Sequence, residues 1–356
     1  MRNATTLRST LLTLAAVASA AGCGDDSQPT GDGGTTADTT ADTTVDASST
    51  TDTTTASTTG GSDGEEAGDS SGSGDTGDFP AAIPDDCIDD VTAGEHVFAC
   101  DGLTYDVTVP EACLSSACGL VLDVHGFTMN ARMQDNNTNM RALGVEHGYI
   151  VVQPNAIPDP PQSSWVPGPD DDKVFDFLNR ASAAWHVDAA RIHFTGFSQG
   201  GYMTWRFVCQ HADVLASAAP AAACAMPSCG FADGMTPSEA VDILYIHGTD
   251  DALVDFECAY PGRDAVVAAW DFDDPEVVSE DSEHRWTRYT NRAGTVFEFI
   301  EHDYAAASPI IRSHCFPGAS DPGGEQGQLF PFHCEGDNAF VWGEAAMQFF
   351  IAHPKN

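Results

Sequence analysis

Lysine is almost missing from this 356-residue chain: only Lys173 and Lys355 are present, and Lys plus Arg total 14 against 54 Asp plus Glu. At a formal charge of −40 the chain has few of the cationic groups that bind nucleic-acid phosphates. This excludes an electrostatically driven nucleic-acid binder. Anionic lipid headgroups would repel it for the same reason. No apolar run approaches the roughly 20 residues a membrane-spanning helix needs. No two cysteines stand in a C-x-x-C spacing, so a zinc site has little support and no metal or cofactor is expected. Residues 24–79 contain 13 acidic side chains, no Lys or Arg, and one aromatic, Phe79, at the far end. Thr, Asp, Ser, Gly and Ala dominate there. Such a segment has too little apolar surface to offset the entropy of folding, and it is expected to be a disordered, self-repelling tether.

What precedes the tether reads as an address. Arg2 and Arg8 flank the start of an apolar stretch over 11–18, broken by Thr13 and followed by Ser19-Ala20-Ala21-Gly22-Cys23. A short apolar run behind a positive start predicts a secretory signal over 1–23. Ala20-Ala21-Gly22-Cys23 resembles the lipobox of bacterial lipoproteins, which implies lipidation at Cys23. The protein is therefore expected to be exported, either lipid-anchored to the cell envelope or secreted. Membrane contact is expected only through that N-terminal lipid. Setting Cys23 aside leaves ten cysteines, an even number that suits disulfides in an oxidising compartment. Local pairing predicts Cys87–Cys100, Cys113–Cys118 and Cys315–Cys334.

Residues 80–356 are expected to fold as one domain and to act as a monomer. Alternation over 96–109 predicts a hairpin turning at Asp101-Gly102. Short apolar runs at 119–124, 149–152, 191–197, 243–246 and 296–300 predict strands, the second ending before Pro154. Helical spacing fits 131–147, 174–185, 200–211, 266–270 and 339–352. Strand–helix alternation predicts an α/β fold, a mostly parallel central sheet with helices on both faces. Its chemistry should lie in the loops at the carboxyl ends of the strands.

Three of those loops carry candidate groups. Gly196-Phe197-Ser198-Gln199-Gly200 matches G-x-S-x-G between a predicted strand and a predicted helix. Its glycines permit the sharp turn that exposes a nucleophilic Ser. At this point the chain resembles the α/β-hydrolase fold. A serine hydroxyl needs a base, and the base an orienting acid. His247-Gly248-Thr249-Asp250-Asp251-Ala252-Leu253-Val254 resembles that fold's H-G-T-x-D-x-x-V segment, which implies Asp251 as the acid, with Asp250 as the neighbour to test. His314-Cys315-Phe316-Pro317-Gly318 resembles the G-H-x-W-P-G segment of the polyhydroxybutyrate depolymerase and feruloyl esterase group. That resemblance implies His314 as the base, with His333 as the alternative. His125-Gly126-Phe127-Thr128 resembles the group's oxyanion turn, implying the backbone N–H groups of Phe127 and Gln199 as the oxyanion donors. His125 itself is then structural. Trp165 is placed either along the substrate cleft or in packing beneath it.

The resemblance spans about 87–352 and implies a secreted serine esterase that uses an acyl-enzyme and no cofactor. The substrate it implies first is a hydroxyalkanoate oligomer, as for a polyhydroxybutyrate depolymerase. The alternative is a hydroxycinnamoyl or acetyl ester of plant polysaccharide. A catalytically inactive binding module on the tether is the competing expectation from a different class.

Overall fold

The computed structural model describes residues 79–225, 237–321 and 323–355. The signal sequence, Cys23, residues 24–78 of the tether and Cys229 lie outside the described residues.

The chain runs through β1 (Gly94–Cys100), β2 (Leu103–Val109), β3 (Gly119–Val124), α1 (Ala131–Thr138), α2 (Met140–His147), β4 (Tyr149–Asn155), α3 (Pro169–Ala184), β5 (Ile192–Phe197) and α4 (Gln199–Gln210). It continues through β6 (Ser217–Ala221), β7 (Asp242–Gly248), α5 (Ala259–Ala269), β8 (Glu276–Glu280), β9 (His284–Thr290), β10 (Val296–His302) and α6 (Trp342–Ala352). One ten-stranded sheet takes the order β1-β2-β4-β3-β5-β6-β7-β10-β9-β8. From β4 to β10 every neighbouring pair is parallel, and antiparallel strands extend both edges. This is the predicted fold class, with helices on each face.

Strand alternation divides the core in two. Leu120, Leu122 and Val124 of β3 join Val174, Phe177 and Leu178 of α3 and Trp205 and Phe207 of α4. Val121, between them in sequence, points the other way and joins Met133, Met140, Trp342, Met347 and Phe350 from α1, α2 and α6. Side chains one apart on a strand face opposite sides, so one apolar run serves both layers. Each fully buried Leu, Val or Phe contributes about 1.5–3 kcal/mol.

Local departures from expectation have local causes. The β1–β2 hairpin turns at Asp101 and Gly102 as predicted, both with positive φ (52° and 85°), which suits a two-residue turn. The single helix expected over 131–147 is two helices. Asn139 adopts a left-handed conformation (φ 53°), which Asn tolerates better than most residues, and breaks the run. Strand β4 continues through Pro154 to Asn155, because β3 pairs only as far as Val152 and the proline disrupts no parallel ladder. Strands β6, β8 and β9 have no counterpart among the apolar runs. Ser-Ala-Ala-Pro-Ala in β6 lacks the branched residues that mark a strand, yet all five residues are buried between β5 and β7.

All three expected disulfides are present, Cys87–Cys100, Cys113–Cys118 and Cys315–Cys334, and Cys224–Cys258 adds a longer one. Helix α3 starts earlier than its apolar spacing suggests, with Pro169 in its first turn and Asp170, Asp171 and Asp172 at its positive end. Asp171 reaches across to α4, where the Arg206 guanidinium donates to both carboxylate oxygens at 2.6 and 2.8 Å. Both partners are buried, so Arg206→Met would strand a charge and should destabilise the fold by about 3–5 kcal/mol in urea unfolding. Replacing Asp171 as well, by Leu, should recover most of that loss. An Arg206→Met variant within 1 kcal/mol of wild type would show that water reaches the carboxylate.

Candidate active site

Strand β5 and helix α4 meet at Ser198 with no intervening loop. The reversal holds Ser198 at φ 55°, ψ −114°, a conformation L residues rarely adopt. The backbone passes so close that a Cβ on Gly200 would lie 2.0 Å from the Val124 carbonyl oxygen. Glycine is therefore dictated by the approach of β3. Ser198 N–H donates to Ala221 O at 2.9 Å, tying the turn to β6.

The loop after β3 lies directly beside this turn: a Cβ on Gly126 would meet Ser198 Cβ at 3.1 Å. His125, fully buried, shapes the loop. Its Nε2 accepts from Ala156 N–H at 3.0 Å and its Nδ1–H donates to Gly126 O at 2.7 Å. Burial outweighs the bond to Gly126 and lowers its pKa to about 4, so the ring is neutral and structural. Trp165 is buried as well and takes the packing role. Its indole N–H donates to His125 O at 2.8 Å, and its backbone N–H donates to the Gln199 side-chain oxygen at 3.1 Å. Ser163 completes the brace by donating through Oγ to Met129 O and accepting Thr128 N–H at its carbonyl. Trp165 thus joins His125, two residues before Phe127, to the Gln199 side chain, and Phe127 and Gln199 are the two residues expected to supply oxyanion donors. Their own backbone N–H groups have no hydrogen-bond partner among the described residues. Nothing in the residue types around Ser163 signals this role.

The third loop follows β7. A Cβ on Gly248 would sit 2.2 Å from Ser313 O, so glycine here lets the segment carrying His314 close down onto Asp251. His314 Nδ1–H donates to Asp251 Oδ2 at 2.6 Å. Asp251 Oδ1 accepts from Leu253 N–H and Val254 N–H, each at 2.8 Å. His247 lies beneath: Tyr245 O–H donates to its Nδ1 at 2.7 Å, and its Nε2–H is shared between Val254 O at 3.0 Å and Asp251 Oδ2 at 3.4 Å. Burial pushes the Asp251 pKa up, but His314, His247 and these hydrogen bonds outweigh it and hold the group well below the usual carboxylate range. Asp250 points elsewhere and forms an ion pair with Arg312 at the surface, 2.7 Å away. His333 makes no bond to Asp251 and sits across a bridge from Phe316. The His314 ring packs against Phe197, centroids 4.6 Å apart, which sets it over the residue preceding Ser198.

Cysteines frame this arrangement. Cys315–Cys334 ties the residue after His314 to the residue after His333. Cys224 and Cys258 approach His247 closely enough to suggest a metal site, but their sulfurs are bonded to each other and are not thiolate ligands.

Together these features place a strained serine and a hydrogen-bonded aspartate–histidine pair on an α/β-hydrolase fold. Comparison with known proteins agrees on the fold. Residues 172–301 match the family described as Phospholipase/Carboxylesterase. The chain is 28% identical over 141 residues to the bifunctional acetylxylan esterase/xylanase XynS20E of Neocallimastix patriciarum, covering 39% of this chain and 20% of that protein. It is 29% identical over 144 residues to feruloyl esterase B of Piromyces equi, covering 39% of this chain and 27% of that protein. The chain thus spans about a quarter or less of the length of these curated relatives. Among solved structures, acetyl xylan esterase from Aspergillus awamori superimposes with a TM-score of 0.52 at 13% identity, over 72% of this chain and 99% of that one.

His302, at the end of β10 and also buried, resembles His125 electrostatically. Burial is the main cause that lowers its pKa to about 3, and the neighbouring His247 ring acts in the same direction. Both rings stay neutral in the folded state, whereas an unfolded histidine gains a proton below about pH 6.5. Their stabilisation is complete above that pH and is lost as pH falls toward 4 and then 3. The urea midpoint should therefore fall between pH 7 and pH 4.5, and less steeply in His302→Asn. Parallel pH profiles for the two proteins would contradict the assignment.

Proposed function

We propose that this chain is an exported serine carboxylesterase that cleaves acetyl or hydroxycinnamoyl esters of plant polysaccharide. The observation that carries the reading is the His314–Asp251 hydrogen bond, set in the loop that packs on Phe197 next to the strained Ser198. In this mechanism Ser198 Oγ attacks the ester carbonyl carbon while its proton passes to His314 Nε2. Asp251 fixes the ring by accepting Nδ1–H and stabilises the imidazolium that forms. The N–H groups of Phe127 and Gln199 hold the negative oxygen of the tetrahedral intermediate. Collapse expels the alcohol, protonated by His314, and leaves an acyl group on Ser198. Water, deprotonated by His314, then attacks the acyl carbon and releases the acid. Protein groups supply every proton transfer in this sequence.

The acyl-polysaccharide substrate is favoured over a hydroxyalkanoate oligomer because the curated relatives are named for acetylxylan and feruloyl esters. Export, lipidation at Cys23 and a monomeric state complete the proposal. The disulfides suit an oxidising compartment.

The test compares wild type with Ser198→Ala and Asp251→Ala on p-nitrophenyl acetate, acetylated xylo-oligosaccharide, methyl ferulate and a hydroxybutyrate oligomer. Each substitution should lower kcat by about 10⁴-fold or more. A fluorophosphonate probe should label wild type and leave Ser198→Ala unlabelled. Preference for the hydroxybutyrate oligomer would return the protein to the depolymerase reading. Folded wild type that neither turns over nor takes the label would instead be a tethered binding module.

A further inference from the structure

A cavity of about 470 Å³ opens beside the loop that follows β3. Its walls include Asn130 and Arg132 at the start of α1, Asn155 at the end of β4, Asp159, and Glu325 with Gln326. The volume falls in the range of sites for small ligands, roughly 300–1,000 Å³. The cavity lies at the carboxyl end of a parallel strand, where α/β sheets place their ligands. It is also tied to the catalytic loop. Ala131 N–H donates to Asn155 Oδ1 at 2.8 Å, and Ala156 N–H donates to His125 Nε2 at 3.0 Å. Asn130 follows Phe127 by three residues, so at most about 11 Å of chain separates them.

The lining is polar, with donors and acceptors left over. Asn130 spends its side-chain oxygen on Met133 N–H, which leaves its amide hydrogens free. Asn155 donates to Asp106 Oδ1 at 2.9 Å and keeps a second N–H. Arg132 Nε pairs with Glu325 Oε1 at 3.0 Å, leaving further guanidinium N–H groups and Oε2. The Asp159 and Gln326 side chains have no hydrogen-bond partner among the described residues. A hydroxyl both donates and accepts, so a polyol fits such a mixed set better than a purely donating or accepting ligand. Arg141 balances Asp106, at 2.9 Å, and Arg132 balances Glu325, which leaves Asp159 as uncompensated charge. An anionic sugar would meet that charge.

We infer that this cavity is a subsite for the uncharged sugar chain of the substrate, gripping its hydroxyls beside the loop that carries Phe127. The inference rests on the polysaccharide-esterase reading for its choice of ligand. The test titrates the full chain carrying Ser198→Ala with unesterified xylohexaose and, separately, with hexagalacturonate, by calorimetry. Xylohexaose should bind and hexagalacturonate should not. Adding Asp159→Ala with Gln326→Ala, both at exposed positions, should weaken xylohexaose binding by roughly fivefold, about the worth of one hydrogen bond. In the active enzyme the same pair should raise KM for acetylated xylo-oligosaccharide by roughly fivefold relative to KM for p-nitrophenyl acetate. Absence of xylohexaose binding, equal binding by the altered protein, or equal binding of hexagalacturonate would each overturn the subsite. Because binding is read without the Ser198 hydroxyl, failure of the esterase reading would show separately, as no turnover in wild type.

Discussion

Burying the Asp251 carboxylate takes it out of water, and a bare carboxylate in that position would cost several kcal/mol. The surrounding chain is arranged to remove that cost. Two backbone N–H groups of its own loop satisfy one oxygen, and His314 and His247 converge on the other. Each donor must be brought from a different segment, so the carboxylate dictates where β7, its following loop and the 311–316 segment come to rest. The close approach of Ser313 to Gly248 is one consequence, and the disulfide beyond His314 is another brace on the same geometry. His247, held by Tyr245 from below, closes the set.

A second constraint acts across the sheet. Ser198 occupies a strained conformation, and strain persists only where neighbours over-determine it. Here β3 presses on Gly200, β6 receives the Ser198 N–H, and the α4 helix is clamped to α3 through Arg206 and Asp171. The loop after β3 is equally fixed, by a neutral His125 and by Trp165, which bonds to both sides of the proposed oxyanion site. The groups proposed to react are thereby carried on elements that cannot drift independently, which is what the proposed preorganised electrostatic catalysis would require. The polar cavity shares these supports, since of its lining residues Ala156 bonds to His125 in that loop and Asn155 to Ala131 at the start of α1.

Much of this is legible in the sequence alone. The apolar runs of β3, β5, β7 and β10 stand out because strands buried on both faces have no polar alternation to obscure them. The elbow glycines and the Gly248 turn are readable because a missing Cβ is a property of the residue itself. Strands β6 and β8 were not legible. The first is built of small residues, the second is largely exposed, and both are strands only because neighbours offer them hydrogen bonds. The break at Asn139 was hidden in the same way, since one asparagine inside a helical pattern is not a stop signal until its backbone turns left-handed.

Sequence by itself determined the alternation of strands and helices and the candidate serine, because each depends on local residue type or short spacing; local pairing suggested three of the disulfides, and family resemblance implied the candidate acid and base. Tertiary structure decided the pairing of Asp251 with His314 over Asp250 or His333, the placing of Trp165 in the brace, and the meeting of α1, β4 and the 325–326 segment around a polar cavity. These depend on contacts between residues tens to hundreds of positions apart. Such contacts are set by how the layers pack, and a linear pattern does not record that.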